Sequence, residues 1–168
     1  ALCLLTGRRQ EEIHLRTAFA KSGKSRLSLK VSNLAKSRPD TTMAIPCLGS
    51  ASMLLKEIAK HRADATYKDK ETNSMNIQMN DMCKRVFPEV KSVHALRAIY
   101  AEACSKLFNN PTYNSVEENP AYYKKKILGH TSTAVAVEHY DYKVVDLETQ
   151  EARDAALRFI VSSHDYEN

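Results

Sequence analysis

No apolar run in this 168-residue chain reaches the roughly 18 residues that would read as a membrane span. A signal-peptide pattern is missing too, because Ala1-Leu2-Cys3-Leu4-Leu5 is a short apolar run that meets Gly7-Arg8-Arg9 almost at once. Cys3, Cys47, Cys83 and Cys104 stand far apart with no Cys-x-x-Cys pair. That disfavours a zinc ribbon or a disulfide framework and suits a reducing compartment, so a cytoplasmic setting is expected. Internal repeats are absent, and low complexity is limited to a polar stretch around Asp69 to Ser74. Acids are scarce between Arg8 and Arg38, where only Glu11 and Glu12 face nine basic residues. What remains is 43% hydrophobic and 27% charged, ordinary for one soluble domain with a real core. The net charge of +5 fits a polyanionic partner without identifying it.

Apolar spacing predicts a mainly α chain with a small antiparallel β-sheet near the N-terminal end. Glu11 to Ala20 has helical spacing, whereas Leu27 to Leu34 alternates with the period of a half-buried strand. Thr42 to Cys47 can be its partner across the turn chemistry of Ala35-Lys36-Ser37-Arg38-Pro39-Asp40. Helices capped by Ser50, by Thr72 to Ser74 and by Ser92 follow. Asn109 to Asn119 reads as a polar loop, Asn119-Pro120 as a helix start and Gly129 as its stop. Further helices are expected from Ser132 to about Glu138 and from Glu148 to about Val161. The apolar start that runs straight into a motif suggests one domain, residues 1–168, cut from a longer protein.

Four stretches carry chemistry when taken in order. They are Thr6-Gly7-Arg8-Arg9-Gln10-Glu11-Glu12, the hairpin turn with Lys36, His94-Ala95-Leu96-Arg97, and Leu128-Gly129-His130 followed by His139-Tyr140. In this order they resemble the catalytic domain of the tyrosine recombinases, over roughly residues 5 to 145. That resemblance implies cleavage and rejoining of double-stranded DNA through a 3′-phosphotyrosine intermediate, with no metal and no cofactor.

The residue types suit that chemistry. Guanidiniums donate paired hydrogen bonds to phosphate oxygens and keep their charge, which makes Arg9 and Arg97 the candidates. The resemblance makes Lys36 the general acid for the leaving 5′ oxygen, with Lys30 and Arg38 as rivals. His94 lies one helical turn before Arg97 and could take the tyrosine proton, while His130 would hydrogen-bond a phosphate oxygen. Tyr140, ten residues after His130, is the candidate nucleophile, and Tyr142 is its rival. Arg8 competes with Arg9, but the spacing to Glu12 selects Arg9 and leaves Arg8 to contact backbone phosphate or pair with an acid. His14, His61 and His164 lack such context and are expected at the surface. Tyr100, Tyr122 and Tyr123 read as packing or DNA-facing aromatics.

Two departures narrow the resemblance. Arg97 and His130 stand 33 positions apart, farther than in ordinary integrases. The surplus is the polar loop and the stretch Tyr122-Tyr123-Lys124-Lys125-Lys126. Thr-Gly-Arg-Arg followed by acids replaces the usual Thr-Gly-Leu-Arg. Both look like the hairpin telomere resolvases (protelomerases), which would act as a dimer on a palindromic junction. A phage or mobile-element integrase, a type IB topoisomerase and a catalytically dead DNA-binding module are the alternatives. No membrane partner is expected.

Overall fold

The computed structural model describes residues 1–23, 25–35, 41–64, 72–90, 92–130 and 145–162. Helix α1 (Leu2–Thr6) stops at Gly7, which has a left-handed φ of 62°. A Cβ at Gly7 would overlap the ring of Tyr100, so both the backbone angle and the space demand glycine. After Gly7 the chain makes one wide π-turn over Glu12–Arg16, with the Thr17 amide donating to the Glu12 carbonyl at 3.1 Å.

The helix expected from Glu11 to Ala20 therefore ends at Arg16, and Ala18–Lys21 forms strand β1. The cause lies elsewhere in the chain. Arg62 donates from Nε to the Ile13 carbonyl at 2.7 Å and from Nη2 to the carbonyls of Glu12 and Thr17, at 3.0 and 2.8 Å. Its guanidinium also lies 5.5 Å from the centre of the Phe19 ring. Those bonds satisfy carbonyls that a continuing helix would otherwise have used.

Strands β2 (Ser28–Ser32) and β3 (Thr42–Pro46) form the expected hairpin, and β1 adds a third antiparallel strand in the order β1-β2-β3. Phe19 faces Val31 and Leu29 faces Ile45. The alternation holds on β2, where Leu29 and Val31 are buried and Lys30 is exposed. Strand β1 has only one half-buried residue, so it carries no alternation to detect.

The inner face of the sheet packs with α2 (Ala51–Ala63) through Leu29, Val31, Ile45, Cys47, Ala51 and Leu54. Ser50 caps α2 as expected, its Oγ accepting from the Met53 amide. Helix α3 (Thr72–Val86) buries Met75 and Cys83 but leaves Ile77, Met82 and Val86 exposed. Helix α4 (Val93–Phe108) is the central strut and packs with α1, α3 and the helices that follow it. Those are α5 (Pro111–Asn114), a single turn inside the expected loop, and α6 (Pro120–Leu128). A 3₁₀ turn at Val145–Leu147 leads to α7 (Gln150–Ser162). Asn109 ties the loop between α4 and α6 shut, donating to the Glu118 carbonyl and accepting from the Glu118 amide.

All four cysteines are buried free thiols. The helix expected between Ser132 and Glu138 lies outside the described residues. No described helix is long and apolar enough to cross a membrane.

Candidate active site

The site forms where the start of α4, the end of α6 and the segment after α1 meet. The first turn of α4 is held from two sides. Ser92 Oγ accepts from the Ala95 amide, and Asn80 Oδ1 on α3 accepts from the Val93 amide at 2.9 Å. From that fixed turn His94 projects outward and is exposed, while Arg97 points inward and is 1% exposed.

Glu12, itself fully buried, organises the interior. Its carboxylate accepts from the Arg9 amide at 2.8 Å, from Arg9 Nη1 at 3.1 Å and from the Ala35 amide at 3.1 Å. It also lies 3.8 Å from Arg97 Nη1. One carboxylate thus joins both candidate guanidiniums to the base of the β2–β3 turn. Arg9 Nη1 adds a bond to the Ala35 carbonyl, and its side chain keeps 24% of its surface exposed. A polar network satisfied in this way fixes geometry more than it adds stability.

Arg97 donates to the Gly7 carbonyl and to the Leu128 carbonyl, and its Nη2 lies 3.4 Å from His130 Nε2. A guanidinium can only donate, so Nε2 accepts and the imidazole proton sits on Nδ1. His130 follows Gly129, whose φ of 70° ends α6. Its pKa is pushed down to about 4, first by burial and then by the positive charges of Arg97, Arg9, Arg8 and His94. The ring is therefore neutral at pH 7. A cleft of about 240 Å³ opens here, lined by Arg8 to Glu11, Asn76, Asn80 and Ser92 to His94, with Arg97 behind.

Four sequence-derived candidates, Arg9, His94, Arg97 and His130, thus come together. Lys36, its rival Arg38, and both tyrosines, Tyr140 and Tyr142, lie outside the described residues. Ala35, the neighbour of Lys36, is bonded to Glu12 and Arg9. Arg8 does not pair with an acid among the described residues, one of the two parts expected of it. It has no exposed surface and no ion pair among the described residues, and it donates to the carbonyls of Thr6 and Ile127. His14 is not at the surface either: it is 6% exposed and meets His61 edge-on, with ring centres 5.4 Å apart. Tyr100 and Tyr123 are buried packing residues, whereas Tyr122 is exposed.

The lysine cluster is partly neutralised at home. Lys124 pairs with Glu102 and Lys126 with Glu118, leaving Lys125 beside the Tyr122 ring. Sequence reasoning missed Gln10, which is 6% exposed with no hydrogen bond to Oε1 among the described residues, and the asparagines Asn76 and Asn80. It also missed Arg62, which braces the π-turn carrying Glu12. A basic residue in the last turn of a helix ordinarily reads as complementing the helix dipole, so no signal distinguished Arg62. Among the described residues no three of His, Cys, Asp and Glu cluster as a metal site would require.

Residues 1–142 match the model of the telomere resolvase ResT/TelK catalytic domain. Two solved structures share the fold. One is a variant of protelomerase TelA covalently complexed with substrate DNA, with TM-score 0.70 and 23% identity over 93% of this chain and 54% of that one. The other is protelomerase TelK complexed with substrate DNA, with TM-score 0.68 and 22% identity over 84% of this chain and 30% of that one. The chain therefore spans about half of the first relative and under a third of the second. No curated protein shows significant similarity to it.

Proposed function

The chain belongs to the telomere resolvase ResT/TelK catalytic-domain family, and from that premise we propose that it breaks and rejoins double-stranded DNA to form closed hairpin telomeres. The observation that carries this reading is the convergence of Arg9, Arg97 and His94 on one cleft, with His130 3.4 Å from Arg97 and Glu12 set between the two arginines.

In this reading a scissile phosphate enters the cleft above Arg97. Arg9 and Arg97 neutralise its non-bridging oxygens as negative charge builds in the transition state. Neutral His130 donates its remaining N–H to the same phosphate. The phenol oxygen of Tyr140 attacks phosphorus, its proton passing to His94, and the bond from phosphorus to the 5′ oxygen breaks. Lys36, the residue after Ala35 in sequence, protonates that leaving oxygen. The phosphotyrosine conserves the ester, so a 5′ hydroxyl of the complementary strand can displace the tyrosine and seal a hairpin without ATP. Two guanidiniums supply the charge that a divalent cation would otherwise provide. Cutting two strands of a palindrome needs two active sites, so the working unit is a dimer on DNA. DNA processing of this kind belongs in the cytoplasm of a bacterial or phage-infected cell, with DNA-clamping portions outside residues 1–168.

The test is covalent capture. Wild-type protein mixed with duplex carrying its inverted-repeat target should give an adduct on denaturing gels, in the presence of EDTA. Tyr140→Phe should bind the DNA and form none. An adduct that persists in Tyr140→Phe and vanishes in Tyr142→Phe transfers the role to Tyr142. Exchange between two plasmids, in place of strands that snap back after denaturation, would instead indicate an integrase.

A further inference from the structure

A helix of this kind leaves its last four carbonyls without intrahelical partners, and at α6 all four can be traced. The His130 amide takes the Lys125 carbonyl and the Gly129 amide takes that of Lys126, both at 3.1 Å. Arg97 takes the carbonyl of Leu128. The carbonyl left over, that of Ile127, accepts from Arg8 Nη2 at 2.6 Å. Two guanidiniums from separate elements therefore close the negative end of the helix from which His130 extends.

We propose that Arg8 is a positioning residue for strand cleavage: it locks the C-terminal end of α6, and with it His130, against the motif that carries Arg9, and it does not touch DNA. The inference rests on the cleavage reading above. Three observations carry it. Although Arg8 borders the cleft, it has no exposed surface, so a DNA phosphate cannot reach it without rearrangement. Among the described residues it makes no ion pair, and its Nη1 has no hydrogen-bond partner. A buried cation held in this way is a poor choice for stability alone, since an apolar side chain could fill the same volume. Finally, its bonds join Thr6 to Ile127, so one side chain couples the first motif to the last. Its charge also acts on His130, alongside Arg97 and His94 from α4 and Arg9 from the first motif.

The experiment measures single-turnover adduct formation at saturating target DNA, the Kd for that DNA, and the NMR titration of the His130 ring in free full-length protein. Wild-type protein that forms no adduct would sink the cleavage reading itself, whereas the His130 titration reports on Arg8 regardless. Arg8→Met should slow cleavage about tenfold or more, hold Kd within about threefold and raise the His130 pKa. Arg8→Lys should restore much of the rate and the low pKa. If Arg8→Met does not fold, Arg8→Gln, which keeps a donor and loses the charge, should give the same three results. A Kd weakened about tenfold with a shallower salt dependence would overturn the proposal, because Arg8 would then be a phosphate contact. So would an unchanged rate with an unchanged His130 titration, because Arg8 would then be mere filler.

Discussion

Arg97 ties Gly7, Leu128, His130 and Glu12 together. Replacing it with alanine would leave the carbonyls of Gly7 and Leu128 without that donor and Glu12 facing one cation fewer. Removal of one member of a buried charged network costs about 3–5 kcal/mol, so Arg97→Ala should melt at a much lower temperature. Arg97→Lys keeps the charge and loses the fork, so it should remain folded yet cleave about 10²–10³-fold more slowly at saturating DNA. His130 gives a second prediction, on pH. Its folded pKa lies near 4, below the ordinary 6.5, so the unfolded chain takes up the proton first as acid is added. The stability this residue contributes is complete above pH 6.5 and is lost as pH falls toward 4. Urea titrations at pH 7 and pH 5 should show a smaller loss in His130→Asn than in wild type. A bound phosphate opposes the surrounding positive charge, so DNA binding in that interval should be accompanied by proton uptake.

At the scale of elements, the end of α6 sets the direction in which His130 leaves the helix. Gly129→Ala forces an L-residue to φ 70°, which costs about 1–2 kcal/mol and invites the turn to relax. Its cleavage rate should fall further than its stability, a split readable from single-turnover kinetics and thermal melts on one preparation. Most elements here were legible. Ser50, Ser92 and Asn119 cap the helices expected of them, and Leu29 and Val31 alternate with Lys30 on the expected strand. The misreading at β1 has a physical origin. Ile13, Leu15 and the alanines have helical spacing, but the carbonyls there bond to Arg62, which lies 45 or more residues away in sequence. Periodicity reports local preference and is blind to a distant donor. The same holds within the site. Arg9, Arg97 and His130 were singled out by residue type and spacing and do lie together, whereas the burial of Arg8 depends on how α6 docks. An Arg-Arg pair beside two acids looks like solvated surface until that docking is known.

At the scale of the whole molecule, the count of 25 lysines and arginines overstates the cation available to a polyanion. Lys124 and Lys126 are held by Glu102 and Glu118, Arg8 and Arg97 are buried, and Arg62 bonds to backbone carbonyls. Affinity for duplex should therefore respond little to Lys124→Gln. It should respond more to Lys125→Gln, with a salt slope shallower by about one unit because one phosphate fewer is neutralised. The core is arranged around α4, whose buried face joins the cluster of Ile13, Ile58, Cys83 and Leu96 to that of Tyr100, Cys104, Leu107, Tyr123 and Ile127. A helix so enclosed fixes the position of Arg97.

Mass spectrometry of the trapped covalent complex tests the assembled site most directly. Full-length protein is incubated in EDTA with a palindromic target, quenched in detergent and digested, and the nucleotide-bearing peptide is sequenced. The expected result is a 3′-phosphonucleotide on Tyr140, formed by wild type and far more slowly by Arg97→Lys, with product strands that snap back as hairpins. A nucleotide on a residue outside the segment after His130, or an adduct that forms only when a divalent metal is supplied, would contradict it.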